Sequence, residues 1–170
     1  MQALLQFFID LALLRKGPQD LPASPALLAL LAAGGVFVGT LNGQAIFGGI
    51  RPAAGANLLD MVLTMVMLFV LLQFKGHAAR WTQTASAFFG AGLLAGLVML
   101  LVGAITSAPG AAPVSALMDL VLAVWLHVVL GHVLRHALDV PLMAGVIIVL
   151  AYTMMAFNVI IQFFPVMIES

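Results

Sequence analysis

Five runs of about twenty residues, near 25–48, 57–74, 84–106, 115–138 and 141–165, hold only Asp60, Asp119 and Arg135 as charged side chains. A helix rises about 1.5 Å per residue, so about twenty apolar residues cross the roughly 30 Å hydrocarbon layer of a bilayer. The composition agrees: 64% of the 170 residues are hydrophobic and 7% are charged, too few charges to cover a water-facing surface of this size. The six Lys and Arg balance six Asp and Glu, so no basic patch exists for nucleic acid. With no cysteine, the chain has no disulfide framework, thiolate metal site or catalytic thiol.

The fold class expected is an all-α polytopic transmembrane bundle of five spans within 25–165. Helix punctuation supports the boundaries: Ser24-Pro25 places a capping side chain before a proline, Asn57 and Ser115 stand at the openings of the second and fourth spans, and Pro141 opens the fifth. The connectors, Gly49 to Pro52 and onward, Lys75 to Gln83 and Ser107 to Pro113, are too short to form an extramembrane domain. Residues 1–16 read differently. Met1 to Leu14 would be about 21 Å long as a helix, short for a span. Gln2, Gln6 and Asp10 recur every four residues on an otherwise apolar cylinder, which predicts an amphipathic helix in the interface, ended by Arg15-Lys16-Gly17-Pro18. A secretory signal would carry its positive charge before the apolar stretch; here the charge follows it, so the segment is expected to be retained.

Orientation is read from Lys and Arg. Arg15, Lys16, Lys75, Arg80 and Arg135 fall on one side of a five-span model, with His77, His136 and Trp81, and only Arg51 falls on the other. This predicts a cytoplasmic N-terminus with Glu169-Ser170 outside, and the localisation expected is the inner (plasma) membrane. An internal echo runs through the spans: residues 60–79 laid over 119–138 match at Asp60/Asp119, Val62-Leu63/Val121-Leu122, Val70-Leu71/Val129-Leu130 and His77-Ala78/His136-Ala137. Two related hairpins, spans two–three and four–five, would give that pattern, as would chance agreement of apolar residues.

Small residues form stripes, with Gly35, Gly39 and Gly43 on span one and Ala87, Ala91 and Ala95 beside Gly92 and Gly96 on span three. Helices in lipid associate by close packing, so these positions mark either contacts inside the monomer or a face for another copy or protein. Polar residues inside spans cost more and say more. Thr40, Asn42, Gln44, Asp60, Thr64, Asp119, Asn158 and Gln162 all fall in the outer half of the membrane under this topology. One account has the carboxylates complementing helix N-termini; the other has a polar cavity opening outward onto a small solute, ion or partner segment. His127 lies near the bilayer centre, where three readings are open: an interhelical hydrogen bond, proton coupling, or ligation of a metal or haem. His132 and His136 share a face near the cytoplasmic end and read as interfacial, with no neighbouring acid placed to complete a metal shell.

No Gly-rich phosphate loop, His-Glu-x-x-His or Gly-x-Ser-x-Gly occurs, so catalysis, a cofactor and a resident metal are not expected. A cytoplasmic amphipathic N-terminus, five closely spaced helices and an outward C-terminus resemble the Yip family of small membrane proteins in organisation. The Asp-Leu-x-Gly-Pro and Gly-Tyr-x-x-x-Pro signatures associated with that family's eukaryotic members are absent, so its binding of small GTPases is carried over to no residue here. The function expected is a non-catalytic accessory, scaffolding or assembly protein working through helix–helix contacts. Its partners would be the lipid bilayer and a second copy or another membrane protein, and no nucleic acid. The alternative is a small oligomeric transporter or channel using the polar cluster and His127.

Overall fold

The computed structural model describes residues 2–106 and 112–167. Among these, all regular structure is helical: α1 (Gln2–Ala12), α2 (Pro25–Gly43), α3 (Ile50–Phe74), α4 (Trp81–Ile105), α5 (Ala112–Leu138) and α6 (Leu142–Phe163), with short 3₁₀ turns at Pro18–Asp20 and Ala78–Arg80. The five helices from α2 onward are long and apolar enough to cross a membrane, and the protein is an all-α multi-pass membrane bundle. Residues 107–111 of the Ser107 to Pro113 connector and the terminal residues 168–170, with Glu169-Ser170, lie outside the described residues.

Local chemistry sets most boundaries. Ser24 Oγ accepts a hydrogen bond from the Leu27 amide at 3.3 Å, and Pro25 starts α2 where no donor is needed. α3 ends in a Schellman turn: the His77 amide donates to the Leu72 carbonyl at 2.8 Å and Gly76, at φ +73°, turns the chain. Two boundaries differ from the sequence expectation. α2 stops at Gly43 rather than near 48, and α3 starts at Ile50 rather than at Asn57. Pro52 falls in the first turn of α3, where its missing N–H has no partner to lose, so the helix begins before it. α5, the fourth span, likewise begins by Ala112, ahead of Ser115.

Successive helices alternate in direction. α2 packs against both α3 and α4, α4 against α5, and α5 against α6, while α6 returns to α3 and closes the bundle. α1 turns Phe7, Phe8 and Leu11 inward onto α4 and α5, leaving Leu5 and Leu13 exposed. Phe8 lies over Gly90 of α4, where a Cβ would overlap its ring. Trp125 Nε1 of α5 donates to the Ala12 carbonyl at 3.2 Å, and His132 Nε2 donates to the Lys16 carbonyl at 3.1 Å. The amphipathic N-terminal helix is thus docked on protein along its buried face.

Small residues act differently at each position. The closest backbone approach among the described glycines joins α5 to α6: a Cβ on Gly145 would meet the Gly131 carbonyl oxygen, and one on Gly131 would come within 2.7 Å of the Val146 nitrogen. The sequence stripes had not singled out this pair. In the α2 stripe, Gly39 and Gly43 receive the side-chain amide of Asn57 from α3, and in α4 Gly96 receives Val38. Gly35 and Gly92 have no atom within 4 Å of a built Cβ. Ala87, Ala91 and Ala95 are buried inside the bundle.

This contrast generates a stability prediction. Gly145→Ala should destabilise the bundle by about 1–3 kcal/mol, because backbone cannot retreat as a side chain can. Gly92→Ala should leave stability within about 1 kcal/mol of the parent or raise it, since alanine is the better helix former. Thermal unfolding of the two variants in mild detergent checks the order, and a less stable Gly92→Ala would contradict it.

Candidate functional site

A cavity of about 370 Å³ sits at the centre of the bundle and takes side chains from all five long helices. Asp60 of α3, Gly92 of α4, His127 of α5 and Tyr152 of α6 line it, and each stands near the middle of its helix, so the cavity lies near the middle of the membrane. Gly35, Gly39 and Gly92 belong to its wall; at Gly35 and Gly92 the missing side chains leave the space open.

The polar groups in the wall are held from their own helices or from each other. Tyr152 bridges α6 to α3: its hydroxyl is 2.7 Å from Thr64 Oγ1 and donates over 3.4 Å to the Asp60 main-chain carbonyl. Thr64 stands four residues after Asp60 on the same face, as the sequence spacing requires. Asn57 Nδ2 donates to the Ala53 carbonyl at 2.8 Å, which directs Oδ1 toward the α2 backbone at Gly39. His127 corrects an expectation: its Nδ1 donates to the Ala123 carbonyl of its own helix at 2.7 Å, instead of to a neighbouring helix. A neutral imidazole with Nδ1 donating keeps Nε2 as an acceptor. Among the described residues, Asp60 is the only acidic side chain in the wall, and no Lys or Arg joins it.

The other polar residues picked out from sequence do not converge there. Asn42 is a packing residue, its Nδ2 shared at 3.1 Å between the Val38 carbonyl and the Gly96 carbonyl of α4. Gln44, Asn158 and Gln162 are exposed, and each donates to a carbonyl of its own chain three or four residues back: Leu41, Met154 and Asn158. Thr40 does the same with Val36 at 2.7 Å. Asp119 is half-exposed and lies outside the cavity wall, so the two acids matched in the internal echo have different settings. Shared depth had grouped these residues, but helix azimuth separates them.

Two members of the site were missed. Asn57 had been read as a helix opener, and Tyr152 had not been weighed. Tyr152 is the only tyrosine in the chain and sits within a span, where a phenol must find a partner, which was the available signal.

The end of the bundle that carries α1 holds a second, polar hollow of about 330 Å³ between Gln19, Arg80, Gln83, His136 and Asp139. Arg80 reaches Asp139 at 3.1 Å, with His77 Nε2 3.6 Å from the same carboxylate, tying the α3–α4 turn to the α5–α6 turn. His132 and His136 meet edge to face with ring centroids 4.5 Å apart. Among the described residues, no three His, Asp or Glu side chains are gathered as metal ligands.

The Tyr152 bridge should be measurable. Tyr152→Phe removes the hydroxyl but keeps the ring, and is expected to cost about 0.6–1.7 kcal/mol, the range for interhelical hydrogen bonds in lipid. Thr64→Val together with Tyr152→Phe should cost less than the sum of the two single changes, read by thermal unfolding in a double-mutant cycle. Full additivity would show that the two hydroxyls do not interact.

Comparison with protein-family models, with curated proteins and with solved structures finds no match to this chain.

Proposed function

We propose that the protein is a small transporter or channel subunit of the inner (plasma) membrane that admits a small solute to the central cavity. The supporting observation is the cavity itself, lined at mid-depth by Asp60, Thr64, His127 and Tyr152. Packing alone gives no reason to place a carboxyl there, because an ionisable group in the hydrocarbon is costly and is kept where it serves a pathway. The glycines of the wall point the same way. A stripe meant for adhesion would be filled by a neighbouring helix, whereas Gly35 and Gly92 border empty space.

The orientation proposed has the N-terminus in the cytoplasm and the C-terminus outside. It rests on Arg15, Lys16, Lys75, Arg80 and Arg135 standing at the end opposite Arg51, by the positive-inside rule. A reporter fused after residue 170 is expected to be active only when its domain is outside the cytoplasm. A fusion active only inside would reverse the assignment.

The accessory reading, with the organisation of Yip-like proteins, has one observation in its favour. The first half of α5 exposes a broad apolar surface that includes Val114, Leu117, Met118, Leu120, Val121 and Val124, wide enough for another helix to cover. An oligomeric transporter would use that face as well, so the two readings part on flux rather than on assembly. Proteoliposomes subjected to gradients of small neutral, cationic and anionic solutes should relax faster than protein-free vesicles for at least one solute. Gly92→Phe, which fills the cavity, should bring that rate down by about tenfold or more, a change equal to about 1.4 kcal/mol. Rates equal to those of empty vesicles for every solute would leave the accessory reading in possession.

A further inference from the structure

We infer that the central cavity selects a small amphipathic organic cation, a protonated amine carried on an apolar or aromatic body. The inference deepens the transport reading and rests on it. Asp60 supplies a carboxylate and His127 an imidazole whose Nδ1 is committed to the Ala123 carbonyl, while the Asn57 amide is packed between the Ala53 carbonyl and Gly39. The Tyr152 hydroxyl is used between Thr64 and the Asp60 carbonyl. The polar inventory is therefore weighted to acceptors, and no Lys or Arg among the described residues lines the wall to hold an anion or to neutralise Asp60 from within.

A carboxyl at this depth ends up carrying either a proton or a cation, because an unpaired carboxylate in a medium of low dielectric is too costly to persist. A ligand bearing an ammonium group supplies the missing charge and donates to the acceptors around it. The rest of the wall describes the rest of the ligand. Phe88, Phe89 and Phe157 bring aromatic rings to the same cavity, and aromatic rings attract an ammonium as well as packing against an apolar body. A volume of about 370 Å³ lies at the small end of the usual pocket range of about 300–1,000 Å³, so a molecule of one ring and a short tail fits and a phospholipid does not.

Three probes of one shape and different charge decide the matter: 2-phenylethylammonium, 2-phenylethanol and phenylacetate, titrated calorimetrically into the purified full chain in detergent. The ammonium should bind at least about tenfold more tightly than the alcohol, a difference of about 1.4 kcal/mol, and phenylacetate should bind more weakly than both. Asp60→Asn, nearly isosteric, should bring the ammonium down to the affinity of the alcohol while leaving the alcohol unchanged, which also reports an intact cavity. Alcohol or carboxylate binding as tightly as the ammonium in the parent protein would overturn the assignment of charge class and leave the cavity as a solute site. Binding of none of the three, with no flux in proteoliposomes, would remove both. If Asp60→Asn does not fold, the ranking of the three probes on the parent protein still decides.

Discussion

Hydrocarbon offers no hydrogen bonds, so every polar group in these five helices must find its partner within the chain. Backbone amides do so by forming helices, and the side chains follow. Thr40, Asn57, Thr84, Ser86, His127 and Asn158 each bond the carbonyl four residues earlier. Among the described residues, no buried side-chain nitrogen or oxygen lacks a partner. Local satisfaction of this kind frees the interhelical contacts to be made largely by packing. Polar links that do cross between long helices among the described residues, such as Asn42 to Gly96, Tyr152 to Thr64 and Asp60, and Trp81 to Met65, therefore carry specific geometric information.

The same rule sets the limit of what the sequence could tell. Apolar length located all five spans, and Ser24 with Pro25, or Pro141, fixed helix starts, because those signals are local. The start of α3 was placed late, at Asn57, with Gly49 to Pro52 assigned to the connector, whereas a first turn tolerates proline and the helix begins at Ile50. For the site, residue identity gave depth along a helix but not azimuth. Asp60, Thr64 and His127 turn to the cavity, whereas Gln44, Asn158 and Gln162 are exposed and Asp119 lies outside the cavity wall. In a soluble helix the apolar face would have supplied that azimuth; these helices are apolar around most of their circumference, so the hydrophobic pattern has little direction to give.

The glycines show why a motif is not a contact. Gly131 and Gly145, in no stripe, make the tightest backbone approach described, while Gly35 and Gly92, which belong to the stripes, leave space. A small residue permits two opposite outcomes, a helix coming near or a void remaining, and only the neighbouring side chains decide. At Gly39 the decision goes to Asn57, and the void begins beside it.

The seat of α1 imposes an order on biogenesis. Phe8 needs Gly90 of α4, the Ala12 carbonyl needs Trp125, and the Lys16 carbonyl needs His132. The last of these partners leaves the ribosome more than a hundred residues after α1, which at about 5–20 residues per second is a wait of several seconds to about half a minute. Until α4 and then α5 are in place Phe7, Phe8 and Leu11 lack their protein cover, and an amphipathic helix of this length can rest at the membrane surface. α1, which precedes α4 and α5 in the chain, is thus among the last elements to reach its native place, and its docking reports that α4 and α5 have been inserted side by side.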